Sequence, residues 1–227
     1  MDRTKFLSPD EVQNLRRITQ QWESDDLRRA RRQGPLAWML VDFALSTGLR
    51  VSEIAAIQVT DLDLKAGYCT VTRLKKRRKT GRTKPDGKPE WEPVRKPESL
   101  KLDQGLIKHI QGYLEWRALT HPYYALDAFW VGKQGAMTSQ GLEVLWKRAA
   151  ILAGLTRVNP KTGKTVARYS IHAARHTLAN ALAKVNPKIA QRQCGHSSVR
   201  TTLDQYCGVT DEEMGTAIEQ VKAAQSQ

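Results

Sequence analysis

The stretch "GPLAWMLVDFALSTG", residues 34 to 48, carries one charge, Asp42, in fifteen residues. It is apolar on every side of a helix, so it has to be wrapped by other elements. It is shorter than the roughly 20 residues that span a bilayer, and Gly48 supplies a helix stop. A buried central helix is therefore the first expectation, and it calls for a multi-helix core. The chain has 227 residues, 40% of them hydrophobic, which is enough to build one.

The flanking segments fit that demand. "LSPDEVQNLRRITQQW" opens a helix with Ser8 as cap, Pro9 in the first turn and Glu11 closing a capping box. "RVSEIAAIQ" reads as a short amphipathic helix directly after Gly48. "GYCTVTRL" (67 to 74) is rich in β-branched and aromatic residues and reads as a strand. "KKRRKTGRTKPDGKP" reads as a basic loop, and "EWEPVRK" as the returning strand. Helices are expected at about 103 to 118, capped by Asp103, and at about 138 to 153. "NPKTGK" is a surface loop. Further helices start at "YSIHAARHTLANAL", with Ser170 as cap, and at "NPKIAQRQCG" and "SVRTTLDQYCG"; a last one spans about 211 to 224. The expected class is mainly α with a small antiparallel β-sheet (α+β), in one domain over 1–227.

The opening "MDRTKFLSPDEV" lacks the apolar core of a signal peptide, and no run is long enough for a membrane span. Cys69, Cys194 and Cys207 have no metal-ligand spacing and read as reduced structural thiols. A cytoplasmic protein is expected, with no membrane partner.

The formal net charge is +14, which points to a polyanion, most often nucleic acid. Between Arg73 and Lys96 there are eleven Lys or Arg against three acids. "RRARR" at 28 to 32 is a second basic cluster. The segment after Tyr206 is acidic, with Asp211, Glu212, Glu213 and Glu219.

His172 and His176 stand four apart, on one face of a helix, with Arg175 between them. A zinc peptidase would hold its metal on such a pair but would also need a glutamate beside the first histidine, and Ala173 stands there. No metal is expected. Metal-free attack on a DNA phosphodiester suits the residues better. It needs arginines to meet the charge that develops on the non-bridging oxygens. It also needs a nucleophile and a general acid for the leaving 5′-oxygen. Arg50 in "TGLRVSE", Arg175 one turn from His172, His196 in "CGHSS", Tyr206 in "TTLDQY" and Lys75 at the end of "TVTRL" offer those parts.

That set in that order resembles the tyrosine recombinases of the phage integrase family. The motifs are "STGLRVSEI", "TVTRLKK", "HAARHT", "CGHSSVRTT" and "DQY", over residues 7 to 210. The resemblance implies the family's catalytic-domain fold and a site-specific recombinase that works without metal, ATP or cofactor. Tyr206 would attack a phosphate, form a 3′-phosphotyrosyl link and release a 5′-hydroxyl. Arg50 and Arg175 would clamp the scissile phosphate, and Lys75 would protonate the departing oxygen. His172 would assist proton transfer at the tyrosine, and His196 would bond a phosphate oxygen. Glu53 would orient a catalytic group from behind.

Two departures stand out: Ala173 and Ala174 fill a gap that is often Asp-Leu, and Cys194 replaces a frequent leucine. Lys75 is preferred to Lys76 and Lys79 because it comes first after the strand, although a one-residue slip turns a side chain to the other face. Lys76, Arg77, Arg78, Lys79, Arg82 and Lys84 are expected to hold DNA backbone. His176, Tyr113, Tyr123, Tyr124 and Tyr169 are expected to be structural. The family's N-terminal core-binding domain is not expected in this chain. The resemblance also implies double-stranded DNA as partner, a homo-tetramer on DNA, a monomer when free, and a bacterial or phage setting near the nucleoid. The acidic 211–224 helix could dock on a neighbouring subunit. A type IB topoisomerase shares the chemistry, and a non-catalytic DNA-binding protein could share the fold; the complete residue set favours the recombinase.

Overall fold

In the computed structural model, residues 6–83, 85, 87, 89–123, 125–195 and 219 are described, with 74–81 and 89–95 described by backbone alone. The apolar stretch forms α2 (Gln33–Thr47), which is almost wholly buried. It ends at Gly48, whose φ of +64° is the left-handed C-cap conformation that glycine adopts without strain. Packed on it are α1 (Pro9–Arg28), α4 (Gln104–Thr120), α5 (Ser139–Leu152) and α6 (His172–Val185). The crossing with α1 is close because Gly34 leaves room for the backbone at Trp22 and Glu23.

The caps follow the sequence signals. Glu11 N donates to Ser8 Oγ at 3.2 Å, and Ser8 N donates to Glu11 Oε2 at 2.8 Å. Leu106 N donates to Asp103 Oδ1 at 2.9 Å at the start of α4. Ser170 does not cap α6. The preceding residue is Ile171, and its N–H donates to Glu143 Oε2 of α5 at 3.3 Å. A cap brought from another helix leaves no trace in the local sequence.

After Gly48 comes α3 (Val51–Ala55), then β1 (Leu62–Asp63), β2 (Tyr68–Thr83) and β3 (Pro89–Lys101). These make a three-stranded antiparallel sheet in the order β1-β2-β3. The β2–β3 ribbon runs from the Tyr68↔Lys101 pair out to Thr83↔Pro89, with bulges between Leu74 and Lys76 and between Lys79 and Thr83. Much of the expected basic loop is thus strand. A strand made of consecutive basic residues has no apolar alternation to announce it. Two short hairpins add to the expected elements: β4 (Val131–Gly132) with β5 (Gly135–Ala136), and β6 (Thr156–Val158) with β7 (Thr165–Ala167). "NPKTGK" is the connection of the second. The described chain continues through α7 (Pro187–Cys194), which Asn186 caps and Gly195 ends at φ +62°.

Two buried indoles fasten functional elements to the core. Trp130 Nε1 donates to the carbonyl of Ile54 in α3 at 2.7 Å, with its ring edge-on to Phe129 and Phe43. Trp146 Nε1 donates to the carbonyl of Tyr169, just before α6, at 3.2 Å. Arg117 of α4 is buried, and its guanidinium donates to the carbonyls of Ala128, Phe129 and Leu126, shaping the chain that leads to Trp130. No helix among the described residues is long and apolar enough to cross a membrane.

Candidate active site

Three elements meet at the end of α2: the turn Gly48–Arg50, the first turn of α3 and the first turn of α6. Arg50 stands immediately before α3 in an extended conformation. Glu53 holds it twice. Arg50 N donates to Glu53 Oε2, and Arg50 Nη1 donates to Glu53 Oε1, both at 2.9 Å. Glu53 is buried while 43% of the Arg50 side chain stays exposed, so one edge of the guanidinium is fixed and the rest faces outward. The first backbone donor of this turn is occupied by Glu53. Glu53 thus holds both the backbone and the side chain of Arg50.

Arg175 reaches the same turn from α6. It is 2% exposed, and its Nη1 donates to the carbonyl of Gly48 at 2.9 Å. Its Nη2 is buried and has no hydrogen-bond partner among the described residues. Burial lowers the Arg175 pKa, and Arg50 and Arg73 add to that, while Cys194 and Glu53 oppose. A guanidinium stays charged at neutral pH. A buried cation with a free donor is costly on its own, by about 1–3 kcal/mol for the unmade bond, and an incoming oxyanion relieves it.

His172 lies one turn before Arg175. The residue is exposed at the surface, yet partial desolvation of the ring, then Arg175 and Arg50, lower its pKa below 6.5, with Glu143 and Glu53 acting the other way. A neutral imidazole at pH 7 is able to accept a proton. His176 packs its ring perpendicular to that of His172 with centroids 4.5 Å apart, as befits a supporting residue. No group of three His, Cys, Asp or Glu side chains that could hold a metal ion occurs among the described residues. Burial raises the thiols of Cys194 and Cys69, the latter to about 12, as for inert core cysteines.

Arg50, Glu53, His172 and Arg175 are therefore brought together. Lys75, Lys76, Arg77, Arg78 and Lys79 lie on β2, described by backbone alone, with Lys75 as the extra residue of the bulge between Leu74↔Arg95 and Lys76↔Val94. Arg82 is exposed near the tip of the ribbon. Lys84, Tyr124, His196, Tyr206, Cys207 and, apart from Glu219, the 211–224 segment lie outside the described residues. Sequence reasoning passed over Arg73, which is buried beside this site and acts electrostatically on Arg175. Its signal was available: Cys69, Val71 and Arg73 alternate on the buried face of β2, and the third of them is a charge.

The model of the phage integrase family matches residues 5–213. The chain belongs to the phage integrase family. No curated protein matches it. Among solved structures, the Tn1549 transposon integrase in complex with transposon right end DNA is 18% identical, with a TM-score of 0.66 over 98% of this chain and 67% of that one. XerA recombinase is 20% identical, with a TM-score of 0.63 over 95% of this chain and 62% of that one. XerH site-specific recombinase bound to a palindromic difH substrate is 21% identical, with a TM-score of 0.63 over 94% of this chain and 52% of that one. At these identities the likeness is one of fold: mainly α with a small antiparallel sheet, the fold of the tyrosine recombinases. This integrase-family chain spans 62% of XerA and 52% of XerH.

Proposed function

We propose that the chain is the catalytic unit of a tyrosine-type site-specific DNA recombinase, cutting and rejoining double-stranded DNA through a 3′-phosphotyrosyl intermediate on Tyr206. The observation that carries this is the pair of arginines that share one turn, with Glu53 behind Arg50 and a buried Arg175 Nη2 that has no hydrogen-bond partner among the described residues. Two fixed guanidinium groups suit the two non-bridging oxygens of a phosphodiester. The tyrosine oxygen bonds to phosphorus, the bond to the 5′-oxygen breaks, and that oxygen leaves with its electron pair and a proton from Lys75. His172, held neutral, takes the phenol proton, and His196 donates to a phosphate oxygen. A phenol has a pKa near 10, and converging cations favour its ionised form. The phosphotyrosyl link conserves the energy of the broken bond, so rejoining needs neither ATP nor metal. The basic ribbon from Lys76 to Lys84 grips DNA backbone, and a homo-tetramer forms on paired sites from monomers.

The test uses nicked duplexes from the gene's own flanking DNA, incubated in EDTA without ATP. Wild type is expected to give an SDS-resistant adduct, and Tyr206→Phe none. Tight DNA binding with no adduct from wild type would point to a non-catalytic DNA-binding protein. An adduct that persists in Tyr206→Phe would place the nucleophile elsewhere.

A further inference from the structure

Arg73 carries a guanidinium into the interior at the point where the ribbon meets the end of α7. Its Nη2 donates to the carbonyl of Gln193 at 2.7 Å. That carbonyl belongs to the last turn of α7, where a cation is favoured by the helix dipole. Its Nε stands 3.1 Å from Glu98 Oε2 on β3, as an ion pair rather than an aligned hydrogen bond, and only 2% of the side chain is exposed. One planar fork thus joins β2, β3 and α7.

Gly195 completes the arrangement. Its φ of +62° already favours glycine, and a Cβ there would fall inside the Arg73 guanidinium. Two separate constraints therefore keep residue 195 bare, and the second belongs to Arg73. Gly195 is followed directly by His196. Lys75 is two residues beyond Arg73, at the bulge, a feature that turns a strand and re-aims a side chain. Arg73 is fixed by packing on either side of it, with buried Val71 before and the α7 turn across.

We infer that Arg73 is a positioning residue that ties the base of the β2–β3 ribbon to the α7–Gly195 turn, and so sets where Lys75 stands relative to the arginine pair. The inference rests on the function proposed above. Lysine in its place keeps the charge but, as a point donor, does not span Gln193 and Glu98 together.

The experiment compares two nicked duplexes carrying the mapped cleavage site, one ordinary and one with sulfur in place of the bridging 5′-oxygen. Sulfur departs as a thiolate and needs no proton, so it bypasses the general acid. For Arg73→Lys in the full chain, adduct formation on the oxygen substrate is expected to fall by about 30-fold or more, with the ~10²–10⁴ that a general acid contributes as the ceiling. On the sulfur substrate the fall is expected to stay within about threefold, the same split as in Lys75→Ala. Equal losses on both substrates, or no loss, would overturn the inference while leaving Lys75 in its role. Absence of the split in Lys75→Ala as well would overturn the donor assignment and the inference with it. If wild type forms no adduct, the proposed function falls, and the tie is read without DNA by amide hydrogen exchange. Arg73→Lys should then speed exchange in 71–76 and 191–195 together; unchanged protection in 191–195 would refute the tie. Should Arg73→Lys not fold, Glu98→Gln, which loosens the fork without removing the guanidinium, is measured in the same way.

Discussion

Arg175 Nη1 donates to the carbonyl of Gly48 at 2.9 Å, and Gly48 stands two residues before Arg50. The two arginines are therefore not independent: one is braced against the turn that presents the other. Arg175→Lys keeps the charge but loses the fork, so it cannot hold Gly48 and a phosphate oxygen together. DNA affinity should stay within a few-fold of wild type, while adduct formation falls by about 10² or more, as for loss of a transition-state donor. Filter binding and adduct kinetics on one nicked duplex check this.

Glu53 presents Arg50 and also accepts the Arg50 backbone N–H. Glu53→Ala should cost about 1 kcal/mol in urea unfolding through the missing cap. It should also slow adduct formation more than Glu53→Gln, which retains an acceptor for the backbone N–H.

His172 has a folded pKa below 6.5, lowered by partial desolvation of its ring and by Arg175 and Arg50. The unfolded chain then binds the extra proton first as pH falls, so this contribution to stability is complete above about pH 6.5 and is lost toward the folded pKa. Urea midpoints at pH 7.5 and 5.5 should drop more in wild type than in His172→Gln. The residual drop in the variant is expected, because burial lowers His121 in the same direction. An acid limb of adduct formation assigned to His172 should lie below pH 6.5.

Arg77, Arg78 and Lys79 lie on β2, where it pairs with β3. Reversing all three charges should weaken DNA binding and flatten the plot of log K against log salt, by about 0.9 for each phosphate that the ribbon no longer neutralises. Unchanged affinity and slope would remove the ribbon from the DNA grip.

Gly34 faces the backbone of Trp22 and Glu23 so closely that a Cβ requires the helices to part. Gly34→Ala should destabilise the chain by about 1–3 kcal/mol, the usual range for overpacking, despite alanine's better helix propensity. Thermal unfolding measures it, and a neutral or stabilising result would contradict the close α1–α2 crossing.

The helical frame was legible because its signals are local. Ser8, Asp103, Gly48 and Gly195 mark ends that the structure places within a residue or two, and α2 announces its burial by composition. The pairing of Arg50 with Arg175 was legible only through the resemblance of the motifs, since 125 positions separate them in the chain. What escaped reading depends on contacts between distant segments. Glu143 caps α6 from another helix, so Ser170 looked like the cap. The stretch beyond Leu74 is a run of basic residues with no apolar alternation, so it did not read as strand. Arg73 was hidden among ten other basic residues, although its inward place on β2 set it apart.

The central claim is that Tyr206 becomes joined to a DNA 3′-phosphate. The most direct measurement isolates the adduct, digests it with protease and identifies both products of the cut. The account predicts a peptide containing Tyr206 on the 3′-phosphate, and a released strand whose free 5′-hydroxyl accepts label from polynucleotide kinase without prior phosphatase. A peptide linked through another residue, or a released strand bearing a 5′-phosphate, would contradict it.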